Sequence, residues 1–179
     1  MTRIALVDPR HTTEDRHALL SQIQSALGVT PNMFKAVANS SAALKSMWGS
    51  FAALSGGKIP AKLGEQIAVA VADRNACEYC LAAHTALGRK AGATAEEMSL
   101  AQEGQSADPR TAAALRFALL LVEKRGQVNA ADVGALKAAG FDDEEVVEIV
   151  AHVALNLFTN YVNVAFAVPV DFPSVKLRR

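Results

Sequence analysis

Cys77 and Cys80 are the only two cysteines in the chain, and only Glu78 and Tyr79 separate them. His84 lies four positions after Cys80, and Glu65 lies twelve positions before Cys77. A thiol pair this close makes a small local disulfide or contributes to a metal site, and neither suits the stapling of a large fold. Thiol redox chemistry is the leading reading. A reactive cysteine must be a thiolate, whereas free thiols titrate near about 8.5, so the site has to favour the charged form. Two devices for this are visible. The motif sits at a predicted helix start, where unpaired N–H groups and the positive dipole end face it. One turn beyond Cys80, His84 could accept the thiol proton.

Residues three apart on a helix are neighbours, so a Cys77–Cys80 disulfide is sterically plausible. Glu65 cannot be placed by helical spacing, because Arg74-Asn75 interrupts the pattern; packed against the cysteine-bearing helix it could orient His84 or relay a proton through water. Zinc is the rival reading. A structural zinc site usually takes four ligands, and only Cys77, Cys80, His84 and Glu65 are at hand. A thioredoxin-like site would need a βαβ context, which is missing.

The elements that must position these residues read as helices throughout. Thr13 caps a helix over 14–27 that Gly28 stops, and Pro31 opens a short one over 31–38. Further helices are predicted over 41–54 and 61–73, the latter carrying Glu65. Asn75 reads as the N-cap of the cysteine-bearing helix, with Glu78 as its capping-box partner. Thr94 and Glu97 make another capping box. Asp108-Pro109 opens 110–124, Asn129 opens a helix that stops at Gly140, and the longest runs over 144–167 before Pro169. Strand signals are nearly absent. The expected fold is all-α, a single domain of about eight or nine helices, with a core over about 28–173 and residues 1–27 as an N-terminal helical extension.

The last helix has little polar face, which marks either a central core helix or one partly covered by a neighbouring subunit. It carries His152 and Asn156 one turn apart, with Asn160 and Asn163 beyond. Buried polar groups need partners, so these four residues either bond across helices or line a pocket, with His152, Asn156 and Tyr79 the candidates for the pocket.

With 179 residues the chain is long enough to bury its own core, and its 18 Lys+Arg equal its 18 Asp+Glu. That balance gives no electrostatic footprint for nucleic acid or an anionic membrane. No uninterrupted apolar run reaches the roughly 18 residues of a membrane span, and no signal-peptide pattern is present at Met1 to Pro9. A cytoplasmic location is expected, where a CxxC pair is catalytic or metal-binding rather than structural.

Glu65, Cys77-Glu78-Tyr79-Cys80 and His84, at these spacings, resemble the core signature of the alkylhydroperoxidase D (AhpD)-like group of the carboxymuconolactone decarboxylase superfamily. Gly28-Val29-Thr30-Pro31-Asn32-Met33-Phe34 resembles the opening segment of its peroxidase-related branch. Gly126-Gln127-Val128 and Ala139-Gly140-Phe141 resemble its C-terminal half. The resemblance implies an all-helical fold and a thiol peroxidase cycle without a cofactor. Cys80 would attack a hydroperoxide, Cys77 would resolve the sulfenic acid as a disulfide, and His84 with Glu65 would activate the thiol. It also implies a homo-oligomer, trimer or hexamer, and an electron donor such as a lipoyl group or a thioredoxin-like protein. Where family peroxidases tend to carry a histidine before the second cysteine, this chain has Tyr79. The decarboxylases of the superfamily generally lack the cysteine pair. A rival reading of the same disulfide is a non-catalytic redox sensor or binding protein, and another is a zinc-stabilised structural protein.

Overall fold

Glycines and capping side chains divide the chain into helices that the computed structural model, which describes residues 2–178, places as α1 (Glu14–Leu27), α2 (Asn32–Val37), α3 (Ser41–Leu54), α4 (Ala61–Arg74), α5 (Glu78–Lys90), α6 (Ala95–Gln102), α7 (Pro109–Glu123), α8 (Ala130–Ala138) and α9 (Asp143–Phe166). No strand occurs among the described residues. The cap chemistry explains most of the boundaries. Thr94 and Glu97, Asn129 and Asp132, and Asp142 and Glu145 form reciprocal capping boxes at α6, α8 and α9. Asp108 accepts from Thr111 N–H with Pro109 at the first helical position of α7. Gly28, at φ +77°, closes α1 in the left-handed conformation that a residue with a Cβ adopts only under strain. Thr13 does not cap α1 through its side chain; its hydroxyl turns to Asp15 instead.

α4 is the centre of the molecule, packed against α5, α6, α7 and α9. Leu63, Ile67, Val69 and Val71 lie on different sides of this helix and are all buried, with alanines and Gly64 between them. Small residues let the neighbours approach closely. Of the two readings of the last helix, a central core helix or one partly covered by a neighbouring subunit, the first is therefore corrected. α9 is buried along one face only, while Val147, Val150, Tyr161 and Val164 are exposed. By length and composition α9 is apolar enough to cross a membrane. Here its buried face includes Asn156, Asn160 and Asn163, which look into the fold. α1 belongs to the same core, since Leu20 and Ile23 are fully enclosed. The C-terminal segment returns across the surface, where Asn32 N–H donates to Asp171 Oδ2 at 2.8 Å and Phe172 meets the Tyr79 ring edge-on.

Candidate active site

The two cysteines stand at the junction of α4 and α5, and the junction is built differently from the sequence reading. Asn75 is not an N-cap. It is the C-terminal cap of α4, and the helix ends in two backbone bonds, Cys77 N–H to Ala72 C=O and Ala76 N–H to Asp73 C=O, both characteristic of a Schellman turn. Ala76 takes the left-handed position at φ 53°, where glycine is usual. Cys77 itself is the N-cap of α5, its Sγ accepting from Cys80 N–H at 3.2 Å. Cys77 and Cys80 are joined as a disulfide, with Cα atoms 5.3 Å apart.

α9 clamps this junction through two asparagines one turn apart. Asn160 Oδ1 accepts from Asn75 Nδ2 at 2.9 Å, and Asn163 Nδ2 donates to Cys80 Sγ at 3.1 Å. On the other side, α4 and α5 bring Glu65 and His84 together, with Oε2 2.7 Å from Nδ1. Their close approach is permitted by Gly88, where a methyl group would overlap the Met98 side chain and come within 3.3 Å of Glu65 Cβ. With Nδ1 occupied by the carboxylate, the imidazole leaves Nε2 as its working nitrogen.

Cys80, His84 and Glu65 share the wall of one cavity of about 450 Å³. The rest of the wall is mostly apolar, drawn from the end of α1, Met33 and Phe34 of α2, Trp48 and Phe51 of α3, Leu87 of α5 and Phe172. Cys77 is absent from that lining. Both sulfurs belong to residues almost closed to solvent, Cys77 at 1% and Cys80 at 2% exposure. The helix terminus thus favours charge on Cys77, while access from the cavity favours attack at Cys80.

Tyr79 lies in the same wall, with its hydroxyl accepting from Met33 N–H at 3.2 Å. Burial, and secondarily the Asp171 carboxylate beside it, hold the phenol proton far above its ordinary range. Tyr79 is therefore a neutral anchor between α5 and α2 and moves no proton at neutral pH.

His152 and Asn156 face a second, smaller cavity of about 170 Å³, whose wall also includes Glu65 and His84. The dyad stands between the two chambers. Asn156 Nδ2 donates to His152 C=O within its own helix, rather than across helices. The His152 ring packs on α4 where Gly64 leaves room, since a methyl there would lie 3.2 Å from Cε1. Its Nε2 is buried without a hydrogen-bond partner among the described residues. Burial lowers its pKa, against the pull of Glu148 and Glu65 and with the push of His84. The sign of the consequence follows. The unfolded chain takes up a proton near the ordinary value of 6.5 that the folded chain resists, so stability is full above that value and falls as pH drops below it. The melting temperature of the wild type should fall more between pH 7.5 and 5.5 than that of His152→Asn; parallel profiles would remove His152 as the cause.

Among the described residues, no group of three or more His, Cys, Asp or Glu side chains gathers closely enough to hold a metal. Sequence reasoning expected Asn163 to bond across helices or line a pocket, and it does both, but the partner it finds, Cys80, was not foreseen. The available signal was the spacing of Asn156, Asn160 and Asn163 on one face of an apolar helix, which requires inward-facing partners.

Residues 40–124 match the family model of the carboxymuconolactone decarboxylase family. No curated protein matches the chain. Among solved structures, an uncharacterised peroxidase-related protein from Silicibacter sp. TM1040 superposes with a TM-score of 0.82 at 26% identity, over 94% of this chain and 91% of that one. A peroxidase-related protein with an AhpD core, from Ralstonia eutropha JMP134, superposes with a TM-score of 0.87 at 25% identity, over 95% and 92%. A cysteine-to-alanine variant of the debrominase Bmp8, in complex with 2,3,4-tribromopyrrole, superposes with a TM-score of 0.80 at 21% identity, over 96% and 94%; this likeness shows the fold alone. The matched segment carries Glu65, the cysteine pair and His84, and the helical frame around it is shared almost end to end. This chain has an AhpD-like all-helical fold, and its cysteine-bearing segment matches the carboxymuconolactone decarboxylase family.

Proposed function

We propose that this protein is a thiol-dependent peroxidase that reduces organic hydroperoxides through a Cys77–Cys80 dithiol–disulfide cycle. The observation that carries the reading is the placement of Cys80, and not Cys77, in the wall of an apolar cavity beside the His84–Glu65 pair. The Cys80 thiolate attacks the terminal oxygen of the hydroperoxide, breaking the O–O bond. The products are Cys80 sulfenic acid and an alkoxide, which takes a proton from His84. Cys77 then displaces water from the sulfenic acid and forms the disulfide. A dithiol donor returns both cysteines to thiols.

The cavity wall favours a substrate with an apolar organic group over hydrogen peroxide, because apolar surface removed from water adds about 25 cal/mol per Å² of binding. The burial of both sulfurs favours a slender dithiol, such as a lipoyl arm, over a folded thioredoxin-like donor. A redox-active pair of this kind suits a reducing compartment, the cytoplasm. Hydroperoxide consumption with a reduced lipoyl donor, a thioredoxin-like donor and no donor tests the reading directly. Turnover is expected to require a donor, and one internal disulfide per chain should remain when the donor is exhausted. Recovery of two free thiols after treatment with excess hydroperoxide would sink it.

Assembly is part of the proposal. Val147 (67% exposed) and Tyr161 (63% exposed) lie with Val150 and Val164 within an arc of about 100° on α9. An apolar helix face of this kind fits a closed homo-oligomer, trimer or hexamer. Sedimentation at micromolar concentration should give one of these species, with Val147→Asp/Tyr161→Asp shifting it toward the monomer. A wild type that sediments only as monomer would refute the assembly.

A further inference from the structure

Most polar side chains in the wall of the large cavity are matched within the protein. His84 and Glu65 hold each other, and Tyr79 hydroxyl accepts from Met33 N–H. Thr159 hydroxyl donates to Asn156 C=O, and Ser55 hydroxyl donates to Ala52 C=O. Asn163 differs in carrying a fully buried polar atom with no partner among the described residues. Its Nδ2 donates to Cys80 Sγ at 3.1 Å, and its Oδ1 is buried without a partner among the described residues. The direction of the first bond follows from chemistry. A disulfide sulfur has no hydrogen, so the amide nitrogen must face it and the oxygen is left over. The backbone at Asn163 is fixed as well, since its C=O accepts from Val168 N–H at 3.0 Å where α9 ends. A buried, unmatched acceptor beside the reacting sulfur, in a mostly apolar cavity, is costly to folding unless a ligand uses it.

We propose that Asn163 is a catalytic residue of this site: its Nδ2 stabilises the Cys80 thiolate, and its Oδ1 accepts the O–H of the hydroperoxide. The inference rests on the peroxidase reading given above for its second half only. In the reduced protein the amide N–H is a donor to a charged sulfur, a stronger bond than the same contact to a neutral one. When a hydroperoxide enters, its terminal oxygen carries the hydrogen, and that oxygen is the one the sulfur attacks. An acceptor that holds this O–H fixes the terminal oxygen next to the sulfur and leaves the alkyl-bearing oxygen toward His84. Sulfur gains the hydroxyl, the O–O bond breaks, and the alkoxide leaves with a proton from the imidazole. Both ends of one side chain thus serve one step, with the amide N–H on the nucleophile and the amide oxygen on the electrophile.

The test uses the full-length protein carrying Cys77→Ser, so that every reading reports on Cys80 alone. Two reagents are compared in single turnover: methyl methanethiosulfonate, which has no O–H or N–H to donate, and cumene hydroperoxide, which has an O–H. Asn163→Ala is expected to slow the thiosulfonate reaction at pH 7 by about tenfold, with its pH midpoint moved up, and to slow hydroperoxide oxidation by a further five- to tenfold. Asn163→Asp keeps the size of the side chain and an acceptor oxygen but loses the donor. It is expected to slow both reactions equally, so the ratio of the two rates stays at the wild-type value. Should the alanine variant not fold by circular dichroism, the aspartate variant with its pH midpoint carries the first half, and Asn163→Ser carries the ratio. An unchanged thiosulfonate rate and midpoint would overturn the bond to the thiolate. A hydroperoxide rate that falls only in step with the thiosulfonate rate would overturn the role of Oδ1. A parent protein that reacts rapidly with the thiosulfonate and not at all with the hydroperoxide would instead overturn the peroxidase reading.

Discussion

Cys80→Ser is expected to abolish hydroperoxide reduction outright, whereas Cys77→Ser is expected to react once per chain and stop. The cavity reaches Cys80 and not Cys77, so a substrate held in it has one sulfur to meet. With Cys77 replaced, the sulfenic acid formed on Cys80 has no resolving thiol and should be trapped by a dimedone-type probe. Neither substitution threatens the fold. Serine is a preferred N-cap, and its hydroxyl at position 77 can accept from Cys80 N–H as the sulfur does now. Serine at position 80 can still accept from Asn163 Nδ2. The expected contrast is large, full loss of turnover in both variants but one stoichiometric, trappable oxidation only in Cys77→Ser. The competing assignment has a physical basis, because the α5 N-terminus favours the thiolate of Cys77. If Cys77→Ser proves inert and Cys80→Ser gives the trapped sulfenic acid, thiolate stabilisation has outweighed access and the roles are reversed. If both single variants keep full turnover, the redox reading is wrong.

Helix boundaries were legible because their signals are local. A capping side chain, a proline at the first helical position or a capping-box pair can be read from types alone, and the helix starts at α6, α7 and α8 followed from such signals. The approach to the cysteines was misread for the same reason. The α4 terminus uses Ala76 where a glycine would have announced the turn, so Asn75 passed for the beginning of the next helix. Glu65 and His84 could be paired only as a possibility, since helical spacing does not cross a turn; the tertiary contact of α4 with α5 brings them to 2.7 Å. Asn163 lies 83 residues from the sulfur it contacts. Periodicity places such a residue on a helix face but does not say which element that face meets. The cavity was illegible for a related reason. Its wall collects side chains from α1, α2, α3, α4, α5, α9 and the C-terminal segment, and no local window contains more than a fraction of it. Hydrophobic content likewise misplaced the centre. α9 is the more apolar helix by its long side chains, but α4, with small residues among its branched ones, is the helix that neighbours can surround.

His84→Ala is expected to slow hydroperoxide reduction at pH 7 by about 10²–10⁴-fold, the usual cost of losing a general acid–base group. The imidazole has two tasks in the cycle: it takes the Cys80 proton before attack and protonates the alkoxide that leaves. Glu65→Gln should cost less, about 10–100-fold, because it leaves a hydrogen bond to His84 Nδ1 but removes its charge-assisted character. Gln can also present its amide nitrogen to the ring and stabilise the wrong tautomer, which would leave Nε2 protonated and unable to accept from the thiol. The pH dependence separates activation from mere positioning. As pH rises through the range of a free thiol, near about 8.5, the thiolate forms without help and the task of accepting its proton disappears. The deficits of both variants should therefore shrink from pH 7 toward pH 9, with His84→Ala keeping the larger residue because the alkoxide still lacks its proton donor. A deficit that is the same at both pH values would mean that the pair only shapes the cavity wall. Combining Glu65→Gln with His84→Ala supplies the remaining control. A carboxylate that acts through the imidazole has nothing left to orient once the ring is gone, so the double variant should be no slower than His84→Ala alone. A multiplicative loss would show that Glu65 acts on the thiol or the substrate by a route of its own.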